Sequence, residues 1–152
     1  MPLSKHYLDT NEEKITFDVE CFGKELSRQC GEIIFALLYG SSKGGIVHPK
    51  SDVDLAVYTD TKPTVSLYDR IIQVAEEAAP GVRCDLGFLK GQEPVYCFEA
   101  LTGKLLFTKD MEKYLRFFSL TCRLYEQQMF HYRKQREYRL KARQKLIAHP
   151  LS

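Results

Sequence analysis

Residues 39–58 read YGSSKGGIVHPKSDVDLAVY, a polar loop followed by two aspartates set into an otherwise apolar run. Because side chains alternate along a strand, Asp52 and Asp54 point to the same face, with Cα atoms about 6.5 to 7 Å apart. Two carboxylates aimed together repel each other, and burying them unpaired is costly. A bound divalent cation would remove that cost. Mg²⁺ suits such a site because it prefers oxygen ligands and is held by one or two carboxylates together with substrate phosphates.

Apolar runs on both sides of this loop predict a small sheet. The predicted strands are IIFALLYG (33–40), DVDLAVYT (52–59), VRCDLGFL (82–89) and KLLFT (104–108). Helices are predicted at residues 61–81, which end in Pro-Gly, and at residues 93–103, which end in glycine. Strands mixed with helices at this spacing predict an α/β (α+β) domain with one small mixed sheet flanked by helices.

Residues 15–30 fit two periods at once. Ile15, Phe17, Val19 and Cys21 alternate as in a strand, whereas other apolar residues of the segment follow a helical stripe. We favour a helix over the second half of this segment, stopped near Gly31.

A long helix is predicted from Met111, after a cap at Asp110, to about Leu146, since neither glycine nor proline interrupts it before Pro150. Its predicted core-facing stripe has the 3.6-residue period of a helix and consists of Met111, Leu115, Phe118, Cys122, Tyr125, Met129 and Tyr132. The first half should pack on the core, whereas the charged second half should project or fray. The chain therefore divides into a core at residues 1–110 and a C-terminal helix and tail at residues 111–152.

Composition indicates an ordinary soluble globular protein, with 44% hydrophobic and 28% charged residues. The N-terminus lacks the apolar stretch of a secretory signal, and no window reaches the roughly 18 apolar residues of a membrane helix, so we expect a cytoplasmic protein without membrane contact. The five cysteines are scattered and form no CxxC pair, which supports neither a zinc site nor a disulfide framework. We interpret them as small buried hydrophobes.

The C-terminal tail is strongly basic. From residue 131 onward it carries seven basic side chains and one acidic one, a net +6, which leaves −4 on the rest of the chain. This asymmetry predicts a partner-binding surface at the C-terminus. A solvated helix end and direct nucleic-acid binding are the alternatives.

The loop after Gly40 has the residue types of a phosphate-binding turn. Glycines let a backbone approach phosphate closely, and exposed N–H groups with the Ser41 hydroxyl can hold its oxygens. The loop is not a Walker motif, because the GxxxxGK[ST] spacing is absent. Asp85 lies inside the third predicted strand, between apolar neighbours, and is the natural third carboxylate of a site for two metal ions.

Gly40-Ser41, ten intervening residues, Asp52-x-Asp54 and the later Asp85 together resemble the nucleotidyltransferase superfamily related to DNA polymerase beta. Among these enzymes, residues 17–125 are most similar to the minimal nucleotidyltransferase (MNT) antitoxins of HEPN/MNT toxin–antitoxin pairs. The resemblance implies a nucleotidyltransferase fold and Mg²⁺-dependent transfer of AMP from ATP to a tyrosine of a partner HEPN ribonuclease, with which the chain would form a hetero-oligomer. The implied metal ligands and catalytic residues are Asp52, Asp54 and Asp85, with Asp85 as general base. The implied triphosphate-binding residues are Gly40, Ser41, Ser42 and Lys43.

The loop departs from that family's usual Gly-Ser-x-Ala-Arg-Gly, since Lys43 and Gly44 stand at the Ala and Arg positions. A lysine supplies a point charge but not the fork of an arginine. Two other functions therefore stay open: an antitoxin that neutralises its partner by contact alone, and a nucleotidyltransferase acting on a small molecule. The short C-terminal region after the core argues against a self-contained small-molecule pocket.

Overall fold

The elements expected from the apolar runs are present in the computed structural model, which describes residues 14–148. In chain order they are β1 (Ile15–Thr16), α1 (Val19–Gln29), β2 (Ile33–Tyr39), a 3-10 turn (Gly40–Ser42), β3 (Ile46–Val47), β4 (Val53–Thr59), α2 (Val65–Ala78), β5 (Cys84–Phe88), α3 (Pro94–Leu101), β6 (Lys104–Thr108) and α4 (Met111–Ala148). The predicted mixed sheet flanked by helices, with a long C-terminal helix, is confirmed.

Four strands form the main sheet in the order β5-β4-β2-β6. β2 is antiparallel to both β4 and β6, whereas β4 and β5 are parallel and are connected through α2. β1 and β3 form a separate antiparallel pair that was not predicted. Both periods read in residues 15–30 are therefore present, because a two-residue strand precedes the helix.

Side-chain caps start three of the helices. The carboxylate of Asp18 accepts the N–H of Cys21 at the start of α1, and the hydroxyl of Thr64 does the same for α2. At the start of α4, Asp110 accepts the N–H of Lys113 at 3.1 Å, as predicted. Each cap satisfies one of the backbone donors that a helix leaves unpaired at its first turn.

The two faces of the main sheet are covered by different helices. One face is covered by α1 and α2 and is apolar along its whole length, with Leu26, Leu55 and Ile71 fully buried there. On the other face, Phe35 and Ala56 pack with α3 and α4. That second face is covered along only part of its length, so its remaining end is free to carry polar side chains.

The predicted packing stripe of α4 is wrong over the first turns of the helix, by a rotation about its axis, and right at Cys122, Tyr125 and Met129, which are half-buried. Met111, Leu115 and Phe118 are exposed, and the contacts with the sheet and α3 come from Tyr114, Phe117, Thr121 and Tyr125. The reason is aromatic packing: the ring of Phe35 lies 5.2 Å from that of Tyr114 and 5.5 Å from that of Phe117. Such pairs stabilise beyond the area they bury.

The second half of α4 projects as expected, since every residue from 130 to 148 is exposed. The division of the chain between residues 110 and 111 stays a prediction, and residues 149–152 lie outside the described part. None of the helices between residues 14 and 148 combines the length and hydropathy that a membrane span requires. All five cysteines are free; Cys30 and Cys97 are buried as predicted, whereas Cys21 is exposed.

Candidate active site

The sheet register brings the predicted carboxylates together. β2 ends where β4 and β5 begin, and Asp54 pairs across the ladders with Tyr39 on one side and with Asp85 on the other. Neighbouring strands lie about 4.8 Å apart, so the two carboxylates are adjacent. Asp52 lies one residue before β4 and, by alternation, points to the same face as Asp54. All three lie at the uncovered end of the second face.

Gly40 is the point at which the turn touches the acidic residues. Its φ is +73°, a left-handed conformation that favours glycine. A Cβ added there would lie 2.2 Å from Oδ2 of Asp54. Any other residue would therefore displace either the turn or the carboxylate, so Gly40 is fixed by both its backbone conformation and its close approach to Asp54.

The rest of the loop is held by backbone hydrogen bonds. The N–H of Gly45 donates to the carbonyl of Ser42, and the carbonyl of Gly45 accepts from Phe17, both at 2.9 Å. Ser41 and Lys43 are exposed, as binding to a triphosphate requires. Ser42 is fully buried, so its predicted contact with a nucleotide has no support in this conformation. Its hydroxyl oxygen has no hydrogen-bond partner among the described residues.

The charges of Asp52 and Asp85 act on Asp54. Burial, followed by the charges of Asp85 and Asp52, raises the pKa of Asp54 above its ordinary value. Burial raises the pKa of the neighbouring Cys84 thiol to about 12, and the charges of all three aspartates add to that shift. Negative charge is therefore concentrated at this end of the sheet, where a cation would be stabilised.

A pair of tyrosines beside the carboxylates was not anticipated from the sequence. Tyr39 donates a hydrogen bond to the hydroxyl of Tyr96 at 3.3 Å, with the rings edge to face. The Tyr96 hydroxyl lies against Gly87, where an added Cβ would come within 1.7 Å of it. Burial, the hydrogen bond to Tyr96 and the nearby aspartates raise the pKa of Tyr39, so it stays a protonated donor. Gly87 between two apolar residues of β5 was the only signal in the sequence.

The carboxylate oxygens at this site are the kind of ligand that Mg²⁺ prefers. Asp54 and Asp85 are adjacent, Asp52 shares their face, and the backbone at Gly40 is close enough to bring a phosphate oxygen to the same point. Between residues 14 and 148, however, no three His, Cys, Asp or Glu side chains are arranged ready to hold a metal ion. The roles of Asp52, Asp54 and Asp85 as metal ligands stay predictions.

The sheet, the turn and the shared carboxylate face define a nucleotidyltransferase. The chain belongs to the polymerase beta nucleotidyltransferase family, whose sequence profile matches residues 23–112. No curated protein matches it significantly.

Solved structures share the fold. A chain of a toxin–antitoxin complex with AMP-PNP is 23% identical, with 81% of this chain and 96% of that chain covered and a TM-score of 0.59. For the toxin–antitoxin MntA–HepT the identity is 21% and the TM-score is 0.55, and the match covers 82% of this chain and 94% of that chain. For the tri-AMPylated Shewanella oneidensis HEPN toxin in complex with MNT antitoxin, the identity is 18% and the TM-score is 0.55. The match covers 82% of this chain and 98% of that chain.

Proposed function

We propose that this protein is a Mg²⁺-dependent nucleotidyltransferase antitoxin that transfers AMP from ATP to a tyrosine hydroxyl of a partner HEPN ribonuclease and thereby neutralises it. The observation that carries the proposal is the in-register pairing of Asp54 with Asp85, beside a turn whose Gly40 touches the Asp54 carboxylate. Family membership supports the reaction class, and the toxin–antitoxin complexes of the same fold support the kind of partner.

The turn would hold the triphosphate. Gly40 provides the close backbone approach, Ser41 an exposed hydroxyl, and Lys43 an exposed positive charge. With the triphosphate fixed on this side, the α-phosphorus would lie over the carboxylates. Positioning of this kind supplies much of the catalysis in phosphoryl-type transfers.

Asp52 and Asp54 would bind Mg²⁺, which when bound neutralises charge on the phosphates. Asp85, at the exposed edge strand β5, would accept the proton of the incoming tyrosine hydroxyl. The hydroxyl oxygen then bonds to the α-phosphorus while the bond to the β-phosphate oxygen breaks and pyrophosphate leaves. The neutral Tyr39–Tyr96 pair would form one side of the pocket and exclude water from it.

A second candidate is neutralisation by contact alone. It is favoured by one observation, the GSSKGG loop, in which Ser42 is buried and the arginine usual in the family is absent. In that case Asp52, Asp54 and Asp85 would have no catalytic role. The two functions differ in whether the carboxylates are needed.

A ribonuclease assay separates the two candidates. The product of the gene neighbouring that of this chain would be assayed for ribonuclease activity with this protein, ATP and Mg²⁺, using wild type and the double variant Asp52→Ala/Asp54→Ala. The proposal expects that wild type abolishes ribonuclease activity only when ATP is present and that the double variant does not. Neutralisation without ATP, or by the double variant at equal stoichiometry, would support the contact mechanism.

A further inference from the structure

A groove lies beside Asp52, at the end of the sheet where β4 and β5 begin. Its volume of about 540 Å³ is in the range of small-ligand sites. One wall is formed by residues 47–52 and the other by residues 81–83. The N–H of Val53 donates to the carbonyl of Arg83 at 2.9 Å and joins the two walls next to Asp52. Of the three carboxylates, Asp52 lines the groove.

Two cations that make no ion pair line this groove. Lys50 belongs to one wall and Arg83 to the other, and both residues are exposed. Within residues 14–148, neither side chain forms a salt bridge. Other cations of the chain are paired, such as Arg70 with Glu32 and Lys113 with Asp60. The charges of Lys50 and Arg83 are thus available to an external anion.

The backbone at Lys50 supports a role for its charge. Its φ is +66°, and no other residue except glycine has a positive φ in the described part of the chain. This conformation is unfavourable for lysine and free of strain for glycine. The wall that contains Asp52 therefore keeps a lysine in a conformation that favours glycine, and strained positions of this kind cluster at functional sites.

The wall at residues 81–83 and the Gly-Ser turn belong to opposite sides of β4. The Gly-Ser turn follows β2, whereas the wall at residues 81–83 leads into β5, and β4 separates these two strands. A nucleotide held by the turn therefore approaches from the β2 side. The groove lies at the start of β5, which carries the predicted general base Asp85.

We propose that this groove is the acceptor site and that Lys50 and Arg83 bind an anionic group adjacent to the acceptor hydroxyl. The inference rests on the proposed function. The anion could be the phosphate of an AMP already attached to the acceptor, in which case a ribose hydroxyl is the next nucleophile, or carboxylates that flank the acceptor tyrosine. In both cases the attacking oxygen bonds to the α-phosphorus of ATP, its proton passes to Asp85, and pyrophosphate leaves.

Three acceptor peptides distinguish the sources of the anion. They are a neutral tyrosine peptide, the same peptide with flanking glutamates, and the neutral peptide already carrying one AMP on its tyrosine. Wild type should show a KM about tenfold lower for an anionic peptide than for the neutral one, the effect of two exposed charge contacts. A preference for the AMP-bearing peptide alone assigns the groove to the attached phosphate, and a preference for the glutamate peptide assigns it to carboxylates.

The groove variant is Lys50→Gly/Arg83→Gln, and it should lose this preference, because its KM for an anionic peptide should rise about tenfold to the value for the neutral peptide. Lys50→Gly also relieves the backbone strain, so a folding defect is not expected from it. The matched control Lys24→Ala/Lys62→Ala removes two exposed cations away from the groove and should keep the preference. An unchanged preference in the groove variant, or none in wild type, would overturn the inference.

Calorimetric binding of the AMP-bearing peptide to the full-length protein gives a readout that needs no turnover. Binding by wild type that weakens about tenfold in the groove variant supports the inference, and equal binding by both refutes it. Absence of transfer to every peptide, in a protein that still binds the AMP-bearing one through these cations, would count against the proposed reaction and not against the groove.

Discussion

Asp54→Asn should make the metal-free protein more stable, because it removes a charge from a strand that already faces another carboxylate. Asp54 and Asp85 are in-register partners on adjacent strands, about 5 Å apart. Two like charges at that distance repel by about 0.8 kcal/mol in a water-like dielectric and by about 3 kcal/mol at the effective dielectric of a protein surface. Since Asp54 is only half-buried, we expect a gain in the free energy of unfolding between these limits. For a chain of this length the melting temperature should rise by about 2 to 10 °C.

The effect should depend on pH. The pKa of Asp54 is raised by burial and by the charges of Asp85 and Asp52, so folding favours its protonated form. Wild type therefore loses stability as the pH rises through this raised pKa, and regains it on acidification. The gain from Asp54→Asn should accordingly be largest at neutral pH and should vanish at acidic pH, where the wild-type carboxyl is itself protonated.

Thermal unfolding in the presence of EDTA, followed by circular dichroism between pH 4 and pH 8, measures this difference. Asp69→Asn is the matched control, because Asp69 is exposed on α2 and makes no salt bridge within residues 14–148. The control should leave the melting temperature unchanged. A lower melting temperature for Asp54→Asn at neutral pH, or a gain independent of pH, would refute the electrostatic argument. Added Mg²⁺ should stabilise wild type more than the variant.

Three further perturbations test other parts of the site. Gly40→Ala should lower the free energy of unfolding by about 1 to 2 kcal/mol, because residue 40 has a left-handed backbone conformation. The added Cβ should also displace the Asp54 carboxylate, so nucleotide transfer should fall sharply. Gly44→Ala is the control and should stay active, because no atom lies within 4 Å of a Cβ added there. Equal activity of the two variants would contradict the contact. Tyr96→Phe should lower the free energy of unfolding by about 1 kcal/mol in denaturant titration, since it removes the acceptor of a half-buried hydroxyl; no loss would mean that the hydroxyl pair is not formed. Deletion of the chain after Met129 should weaken partner affinity in calorimetry without removing ATP binding, because the deleted segment is basic and exposed; unchanged affinity would exclude it from the interface.

Most of the fold was accessible from the sequence because local signals agreed with each other. The apolar run ending at Gly40, the alternation around Asp54 and the cap at Asp110 each predict one element, and the structure contains all three. The carboxylate site was predictable for a related reason. Side-chain alternation and the parallel pairing of β4 with β5 place Asp85 beside Asp54 without any long-range information except strand order.

The features that were missed depend on tertiary packing. The buried side of the first turns of α4 was misassigned because several faces of that helix carry apolar residues, and only the position of Phe35 selects Tyr114 and Phe117. The pairing of Tyr39 with Tyr96 joins residues 57 positions apart and leaves no local pattern. Burial of Ser42 follows from how the turn packs against the sheet, and the loop sequence alone does not determine it.

The most direct test of the proposed function is the intact mass of the partner ribonuclease after incubation with this protein, ATP and Mg²⁺. We predict that the partner gains the mass of one or more AMP groups on a tyrosine, with pyrophosphate released in equal amount, and that Asp52→Ala/Asp54→Ala abolishes the gain. A partner of unchanged mass that is nevertheless neutralised by wild type and by the double variant would contradict the enzymatic account.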